Sequence, residues 1–232
     1  MTPALIAAVV VSYLLGSIPA AYIAGRSRGM DLRKHGSGNL GATNVMRVLG
    51  TRMGLAVFAF DALKGAVPVL VFSRVVAPPN GWTPVLVGIM CGVAAIVGHV
   101  RPVYLRFGRG GKGVATAAGV FLALAPVQTA LALFVFAVVL LSSGFVSLGS
   151  LTSAAILPIL LAITEGVRSP LFGISALLAA FVFWTHRANI GRLQRGEEHR
   201  FGKRGVPAPR FPAPLAIALV VLVAILVATR FG

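Results

Sequence analysis

Apolar segments about as long as a bilayer is thick recur along the whole 232-residue sequence. A hydrocarbon core of about 30 Å is crossed by roughly 20 residues of α-helix. Hydrophobic residues make up 57% of the chain and charged residues only 11%. The pattern predicts an all-α polytopic membrane protein with no separate soluble domain. The apolar segments cover residues 4–25, 53–76, 82–99, 113–125, 127–142, 146–164, 170–186 and 213–230.

The fourth segment is short, and Pro126 separates it from the fifth, which predicts a tight turn between them. One long helix over 113–142 is the alternative, and it would move everything after it to the other side of the membrane. The basic residues favour the turn, because 17 of the 21 then fall in alternate loops, which the positive-inside rule places in the cytoplasm, with the amino terminus outside. These 17 are Arg26, Arg28, Arg33, Lys34, Arg47, Arg52, Arg101, Arg106, Arg109, Lys112, Arg187, Arg192, Arg195, Arg200, Lys203, Arg204 and Arg210.

The sequence argues against nucleic-acid binding, a cleaved signal peptide, a disulfide and a metal site. The net charge of +16 does not indicate nucleic-acid binding, because no basic stretch carries interleaved aromatics or a known binding module. Residues 1–25 lack the basic start of a cleaved signal peptide. The single cysteine, Cys91, rules out an intramolecular disulfide and is expected to fill space within a helix. No metal site is expected, because the histidines show no ligand spacing.

The loop SGNLGATNVMRVLG, residues 37–50, interrupts the apolar pattern with a dense set of polar side chains. Glycines here permit positive backbone dihedrals and leave amide donors for an anion, while an arginine adds a charged fork that suits phosphate. The alternative is a capped helix running to Gly50, with Thr43 or Asn44 as the cap, and this loop alone favours that alternative. The residues concerned are Gly36, Ser37, Gly38, Asn39, Gly41, Thr43, Asn44 and Arg47.

A second loop, RFGRGGKGVATAAG at residues 106–119, again places glycines and basic residues directly before an apolar helix. A helix amino terminus offers unpaired amides and a favourable dipole to an anion. The nucleotide motif GxxxxGK[ST] fails here at its ends, which are Arg106 and Gly113. We therefore predict phosphate recognition without a nucleotide; a basic membrane-edge anchor would not require the glycines. The residues concerned are Gly110, Gly111, Lys112 and Gly113.

The third polar patch, THRANIGRLQRGEEH at residues 185–199, begins where the seventh apolar segment ends. His186 and Asn189 are three residues apart, so they share a face of a continuing helix, with Arg192 one turn further on. Glu197 is one of only five acidic residues in the chain. We predict functional roles for these residues. The remaining basic residues are expected to form a solvated charge run: Arg195, Arg200, Lys203 and Arg204.

Two shorter elements add polar groups. In DALKG, Asp61 and Lys64 are one turn apart inside the second helix, which favours a buried structural pair because pairing lowers the cost of intramembrane charge. The uncharged loop SSGFVSLGS, residues 142–150, supplies Ser147 and Ser150, for which a helix cap is the alternative interpretation.

In combination, SGNLGATNxxR, GGKGVAT and HRxNIxRLxxGxE, with DxxKG and SLGS between them, resemble the motifs of the bacterial PlsY family of membrane acyl-phosphate:glycerol-3-phosphate acyltransferases. The resemblance spans about residues 5–200. It implies a seven-helix transmembrane core with short helices and polar cytoplasmic loops, here residues 1–204, in the bacterial inner membrane. The eighth apolar segment departs from the family's pattern, because the family's chain usually ends before it, so we expect residues 205–232 to form a carboxyl-terminal extension with an additional transmembrane helix.

The activity that the resemblance implies is transfer of a fatty acyl group from acyl phosphate to the sn-1 hydroxyl of glycerol 3-phosphate. The products are lysophosphatidic acid and inorganic phosphate, in the first step of phospholipid synthesis. By the same motifs, Ser37, Arg47 and Lys112 would hold phosphate, with Gly110, Gly111 and Gly113. Ser150, His186, Asn189 and Glu197 would orient glycerol 3-phosphate or shape the reacting centre. The supporting residues would be Asn39, Thr43, Asn44, Asp61, Lys64 and Arg192.

The resemblance further implies a reaction without an acyl-enzyme, in which the donor's phosphate helps to remove the hydroxyl proton. An acyl phosphate is already an activated anhydride, so positioning and charge stabilisation would suffice. His186 as a general base is the rival mechanism. We expect no cofactor, and the partners are the two substrates and the lipid bilayer, with no nucleic acid and a monomeric protein.

Two other functions are compatible with polytopic helices and phosphate-binding loops. A transporter of small phosphorylated anions is the main alternative, although the sequence has no internal repeat and its polar patches gather at one face, away from the bilayer midplane. A lipid-binding scaffold is a third possibility, and it would show no turnover.

Overall fold

The computed structural model describes residues 2–201, so the predicted segment 213–230 and the predicted boundary at residue 204 lie outside the described residues. Within residues 2–201 the regular structure is entirely helical. The helices are α1 (Pro3–Ser17), α2 (Ala20–Arg26), α3 (Ala42–Leu49), α4 (Thr51–Val75), α5 (Pro84–Val100), α6 (Val114–Leu124), α7 (Pro126–Ser143), α8 (Val146–Thr164), α9 (Pro170–Thr185) and α10 (Arg187–Gln194).

The chain forms two compact units that divide between Ala125 and Pro126. In the first unit α1 packs against α5, and α4 packs against α3, α5 and α6. The helices approach closely at glycines: a Cβ at Gly16 would overlap the backbone of Ala95, and one at Gly119 would overlap that of Ala62. Small residues at helix contacts are the usual means of tight packing in membranes, where lipid removes the hydrophobic drive between helices.

Cys91 lies in the apolar core between α1 and α5, with Leu5, Ala8 and Val87. Its side chain is fully buried. The prediction that this cysteine fills space within a helix is confirmed.

The first apolar segment is divided at Ile18 and Pro19 into α1 and α2. The two helices together still have the length and composition of one span, Pro3–Arg26. At the break, the Ile18 carbonyl accepts hydrogen bonds from the Ala20 amide at 3.1 Å and from Lys64 Nζ at 2.8 Å. The interruption thereby brings a backbone acceptor to a buried lysine.

In the second unit α8 packs against both α7 and α9. A hydrogen bond of 2.9 Å from Gln128 Nε2 to Thr164 Oγ1 joins the start of α7 to the end of α8. The axes of α9 and α10 differ by 58°, and the change of direction occurs at His186.

Five spans within residues 2–201 are long and apolar enough to cross a membrane, and α9 with α10 would be a sixth. The 11-residue α6 is apolar but shorter. All seven apolar segments predicted before residue 201 are helical, which confirms the multi-pass α-helical fold, and the count of seven crossings stays a prediction. A single uninterrupted helix over 113–142 is wrong, because α6 ends at Leu124 and α7 begins at Pro126.

Candidate functional site

The loop before α3 is held in place by Asn44, whose side chain is almost fully buried. Its Oδ1 accepts a hydrogen bond from the Ser37 amide at 2.8 Å. Its Nδ2 donates to the carbonyls of Leu32 at 3.3 Å and His35 at 3.1 Å. Asn44 therefore fixes the backbone on which the exposed Ser37 lies.

The capped-helix interpretation of this loop is wrong. The residue before α3 is Gly41, and no side chain caps it, so neither Thr43 nor Asn44 serves as a cap. The predicted positive dihedrals occur at Gly36, with φ of 62°, and at Gly38, with φ of 69°. Gly41 is extended instead, with φ of −129°.

Three other predicted site residues of this stretch, Asn39, Thr43 and Arg47, are more exposed than Asn44. Asn39 is partly buried, and its Oδ1 would lie 2.9 Å from a Cβ built on Gly41. Thr43 is partly buried in the first turn of α3, and Arg47 is exposed in the last turn. Loop and helix thus present Ser37 and Arg47 to solvent from one short stretch of chain.

The glycine-rich loop runs over the end of α5 and into α6. The amide of Gly110 donates to the Val100 carbonyl at 3.0 Å, and that of Gly111 to the His99 carbonyl at 3.3 Å. Gly113 precedes α6 in the left-handed region, with φ of 82° and no side-chain cap. As at every helix start, the first amides of α6 have no acceptor within the helix. Since no side chain caps them either, this helix start is suitable for an anion. Lys112, partly exposed, immediately precedes it.

Asp61 and Lys64 form the predicted buried pair, with 2.7 Å between Lys64 Nζ and Asp61 Oδ1. A third group joins them: His99 Nδ1 lies 3.5 Å from the same oxygen. All three side chains are buried, and Asp61 Oδ1 makes no hydrogen bond of good alignment within the described residues. Sequence spacing does not predict His99 at this position, because only the folded backbone brings it to Asp61.

The same three side chains line a small pocket that Leu40, Gly110 and Gly111 also line. Leu40 comes from the loop before α3, whereas the glycines come from the glycine-rich loop. The first two polar patches predicted from the sequence therefore meet in this unit, around what we call the loop pocket. Its further lining residues are Pro19, Ala20 and Pro102.

In the second unit, Glu198 gathers polar side chains around its carboxylate, and its own side chain is only 6% exposed. Oε1 accepts hydrogen bonds from Ser147 Oγ at 2.8 Å and Asn189 Nδ2 at 2.6 Å. Oε2 accepts one from Arg192 Nε at 2.6 Å. Burial raises the pKa of Glu198, but these hydrogen bonds and the charge of Arg192 outweigh it, so the pKa is lowered from its ordinary value. The carboxylate stays ionised and orders Asn189 and Arg192.

Glu197, the glutamate predicted to act in the site, lies outside this cluster. Its side chain is 56% exposed and pairs with Arg195, with 2.8 Å between Oε2 and Nε. The pattern HRxNIxRLxxGxE, counted from His186, ends at Glu198, which is the glutamate that the structure buries in the cluster. The last residue of the motif is therefore the sequence signal for Glu198.

His186 lies at the bend between α9 and α10 and is 4% exposed. Its Nδ1 is 2.9 Å from the Val182 carbonyl oxygen. A carbonyl only accepts hydrogen bonds, so Nδ1 carries the proton and the lone pair of the neutral ring is at Nε2. Asn189, also buried, follows on α10.

Ser147 and Ser150 lie inside α8, so the helix-cap interpretation is wrong for both; the residue before the helix is Phe145. Ser150 Oγ donates to the Val146 carbonyl at 2.9 Å, and both serines are buried. Ser147 instead belongs to the Glu198 cluster.

The sequence profile described as glycerol-3-phosphate acyltransferase matches residues 6–196, which is most of the chain. The chain belongs to the glycerol-3-phosphate acyltransferase family. A family member from Geotalea daltonii is 44% identical over 193 residues, covering 83% of this chain and 95% of that protein. One from Myxococcus xanthus is 46% identical over 202 residues, covering 87% of this chain and all of that protein.

Solved structures of the family show the same fold. The crystal structure of PlsY (YgiH), an integral membrane glycerol 3-phosphate acyltransferase, in its glycerol 3-phosphate form matches with a TM-score of 0.77 and 38% identity, covering 85% of this chain and 96% of that one. Its lysophosphatidic acid form gives a TM-score of 0.74 and 36% identity, covering 85% and 95%. These matches confirm the predicted PlsY family and the integral membrane fold.

Proposed function

We propose that this family member transfers a fatty acyl group from acyl phosphate to the sn-1 hydroxyl of glycerol 3-phosphate, the first step of phospholipid synthesis. The observation that carries the proposal is the likeness to PlsY in a glycerol 3-phosphate form and in a lysophosphatidic acid form. Lysophosphatidic acid is glycerol 3-phosphate with one acyl group added. Acyl phosphate is proposed as the donor from the motif resemblance.

The phosphate groups are assigned to the loop before α3 and to the glycine-rich loop. Lys112 supplies a cation beside the uncapped start of α6, and the glycines around it allow the backbone to approach an anion. Ser37 and Arg47 add a hydroxyl and a guanidinium from the other loop, and both are exposed to incoming substrate. The glycines concerned are Gly110, Gly111 and Gly113.

Ser150, His186 and Asn189 are assigned to the glycerol backbone, as the motif resemblance implies. The Ser150 hydroxyl donates to a backbone carbonyl, so its remaining capacity is to accept a hydrogen bond from a substrate hydroxyl. His186 and Asn189 orient the acceptor, and Glu198 keeps Asn189 in position. Glu197 is exposed and pairs with Arg195, so the role predicted for it from the sequence passes to Glu198 in this proposal.

The reaction forms one bond and breaks one. The sn-1 hydroxyl oxygen attacks the carbonyl carbon of the acyl phosphate, the bond from that carbon to the phosphate oxygen breaks, and the hydroxyl proton passes to the leaving phosphate. Oriented substrates and fixed donors for the developing negative charge suffice for such a step. The Ser150 hydroxyl donates to its own helix rather than to a histidine, which supports transfer without a serine acyl-enzyme.

His186 as general base is the competing mechanism, since its basic lone pair is at Nε2. We expect His186→Ala to retain near-normal turnover at saturating glycerol 3-phosphate while its KM rises. A loss of kcat of about a thousandfold, in the range of general-base catalysis, would favour the base instead. Unfolding temperatures of both proteins show whether the variant is folded.

The donor and the role of Lys112 are tested together. We expect detergent-purified protein to form lysophosphatidic acid from palmitoyl phosphate but not from palmitoyl-CoA, and Lys112→Ala to lose the activity. Equal use of the CoA thioester would overturn the donor assignment. Uptake of labelled glycerol 3-phosphate into proteoliposomes without any acyl donor would support the transporter instead.

We also propose that the protein is a monomer in the bacterial inner membrane, with its polar loops in the cytoplasm and its amino terminus outside. The distribution of basic residues supports this orientation. In a Cys91→Ala background, an impermeant maleimide added to intact cells should label Asn80→Cys and not Arg28→Cys; both positions are exposed. The reverse pattern would invert the orientation, and the mass of the detergent-solubilised protein tests the monomer.

A further inference from the structure

His99 lies directly beneath the glycine-rich loop, in the last turn of α5. Its ring is so close to Gly111 that a Cβ built there would overlap Nε2 and come within 2.7 Å of Cε1. Its carbonyl accepts the Gly111 amide at 3.3 Å. One residue therefore contacts the loop through both its side chain and its backbone.

The ring of His99 is in turn held in place by Asp61. Its Nδ1 faces Asp61 Oδ1 at 3.5 Å, and Asp61 is held by Lys64 at 2.7 Å. Lys64 is anchored to the Ile18 carbonyl at 2.8 Å. This chain of contacts leads from the break between α1 and α2 to the loop that precedes α6, and every side chain in it is buried.

We propose that His99 is a positioning residue for acyl transfer: its imidazole, held against Asp61, is the surface on which Gly111 rests, and it thereby sets the position of Lys112 and of the loop amides. This inference rests on the proposed function. It also explains why the position next to the lysine is glycine, because any side chain there would displace either the ring or the loop.

Two adjacent glycines allow a matched test, because they contact different parts of His99. A methyl group at Gly111 would overlap the His99 ring and lie 3.0 Å from the Leu40 carbonyl oxygen, whereas one at Gly110 would overlap the His99 carbonyl and lie 3.0 Å from Pro102 Cδ. The variant His99→Ala removes the ring but keeps the carbonyl. It should relieve Gly111→Ala and leave Gly110→Ala unrelieved.

The measurements are KM for glycerol 3-phosphate, kcat, and the unfolding temperature of each single and double variant. We expect Gly111→Ala to raise KM about tenfold or more, and His99→Ala in that background to recover at least about fivefold of it, a coupling typical of residues in contact. The unfolding temperature lost in Gly111→Ala should recover as well. His99→Ala alone should raise KM for glycerol 3-phosphate more than it lowers kcat.

Three results distinguish the outcomes. Additive effects of Gly111→Ala and His99→Ala on KM and on unfolding temperature would overturn the inference. If His99→Ala restored Gly110→Ala as much as Gly111→Ala, the inference would also be overturned. Such a result would mean that His99→Ala loosens the loop as a whole instead of removing one specific contact. If the wild type forms no lysophosphatidic acid, the proposed function fails, and with it the role of His99 in acyl transfer. The unfolding temperatures of the single and double variants still test whether Gly111 rests on the His99 ring.

Discussion

Replacing Glu198 with glutamine tests the centre of the second polar cluster with little change in shape. Glutamine keeps an oxygen that accepts from Ser147 and Asn189, but its amide nitrogen then faces Arg192 Nε, so two donors meet where a 2.6 Å hydrogen bond stood. A hydrogen bond to a charged group contributes about 1.5–3 kcal/mol. Arg192 is 30% exposed, which favours the lower end.

We therefore expect Glu198→Gln to lower kcat/KM about 10- to 30-fold, equivalent to about 1.5–2 kcal/mol, in an initial-rate assay of phosphate release. Glu197→Gln is the matched control, since its pair with Arg195 is more than half exposed and such pairs contribute little. Its kcat/KM should stay within about twofold of the wild type. A larger loss for Glu197→Gln than for Glu198→Gln would refute the assignment drawn from these contacts.

Three further perturbations have defined outcomes in thermal unfolding experiments. Lys64→Met should destabilise the fold by about 3–5 kcal/mol because it leaves Asp61 buried without its cation, and adding Asp61→Asn should restore part of the loss; no recovery would contradict a paired charge. Asn44→Ala should cost about 2–3 kcal/mol through three lost hydrogen bonds, whereas Thr43→Ala should cost under about 0.5; similar costs would contradict the loop geometry. Because the pKa of Glu198 is lowered from 4.5, its stabilisation is present above that pH and lost as pH falls through the lowered value, so Glu198→Gln should flatten this loss, and parallel curves would contradict it.

The helices were predictable because the bilayer imposes one rule on every segment. An uninterrupted apolar run must form a helix to satisfy its backbone, so α4, α7 and α8 lie within two residues of their predicted ends. The Asp61 and Lys64 pair followed from the same logic, since a spacing of one helical turn is visible in the sequence.

Contacts between distant parts of the chain were not predictable by spacing. Asn44 was equally suited to cap a helix, and only its contacts with Ser37, Leu32 and His35 show that it ties the loop instead. Glu198 is buried because Ser147, 51 residues earlier, lies against it. Periodicity does not distinguish two adjacent glutamates in a loop, so only the end of the motif HRxNIxRLxxGxE indicated Glu198.

His99 shows the same limit more sharply. Its role depends on Asp61 of another helix and on a glycine twelve residues further along, and neither relation has a sequence signature. The glycines of the second loop were predicted to belong to a phosphate site at the start of the following helix. The amides of Gly110 and Gly111 instead bond to the end of α5, so close approach to His99 is what requires glycine there.

The central claim is acyl transfer from acyl phosphate to glycerol 3-phosphate, and product stoichiometry tests it most directly. Purified protein in detergent would be given palmitoyl phosphate and labelled glycerol 3-phosphate, with lysophosphatidic acid and inorganic phosphate measured in the same samples. We expect one phosphate released for each lysophosphatidic acid formed, and none without glycerol 3-phosphate. Phosphate release without glycerol 3-phosphate, or no lysophosphatidic acid from folded protein, would contradict the claim.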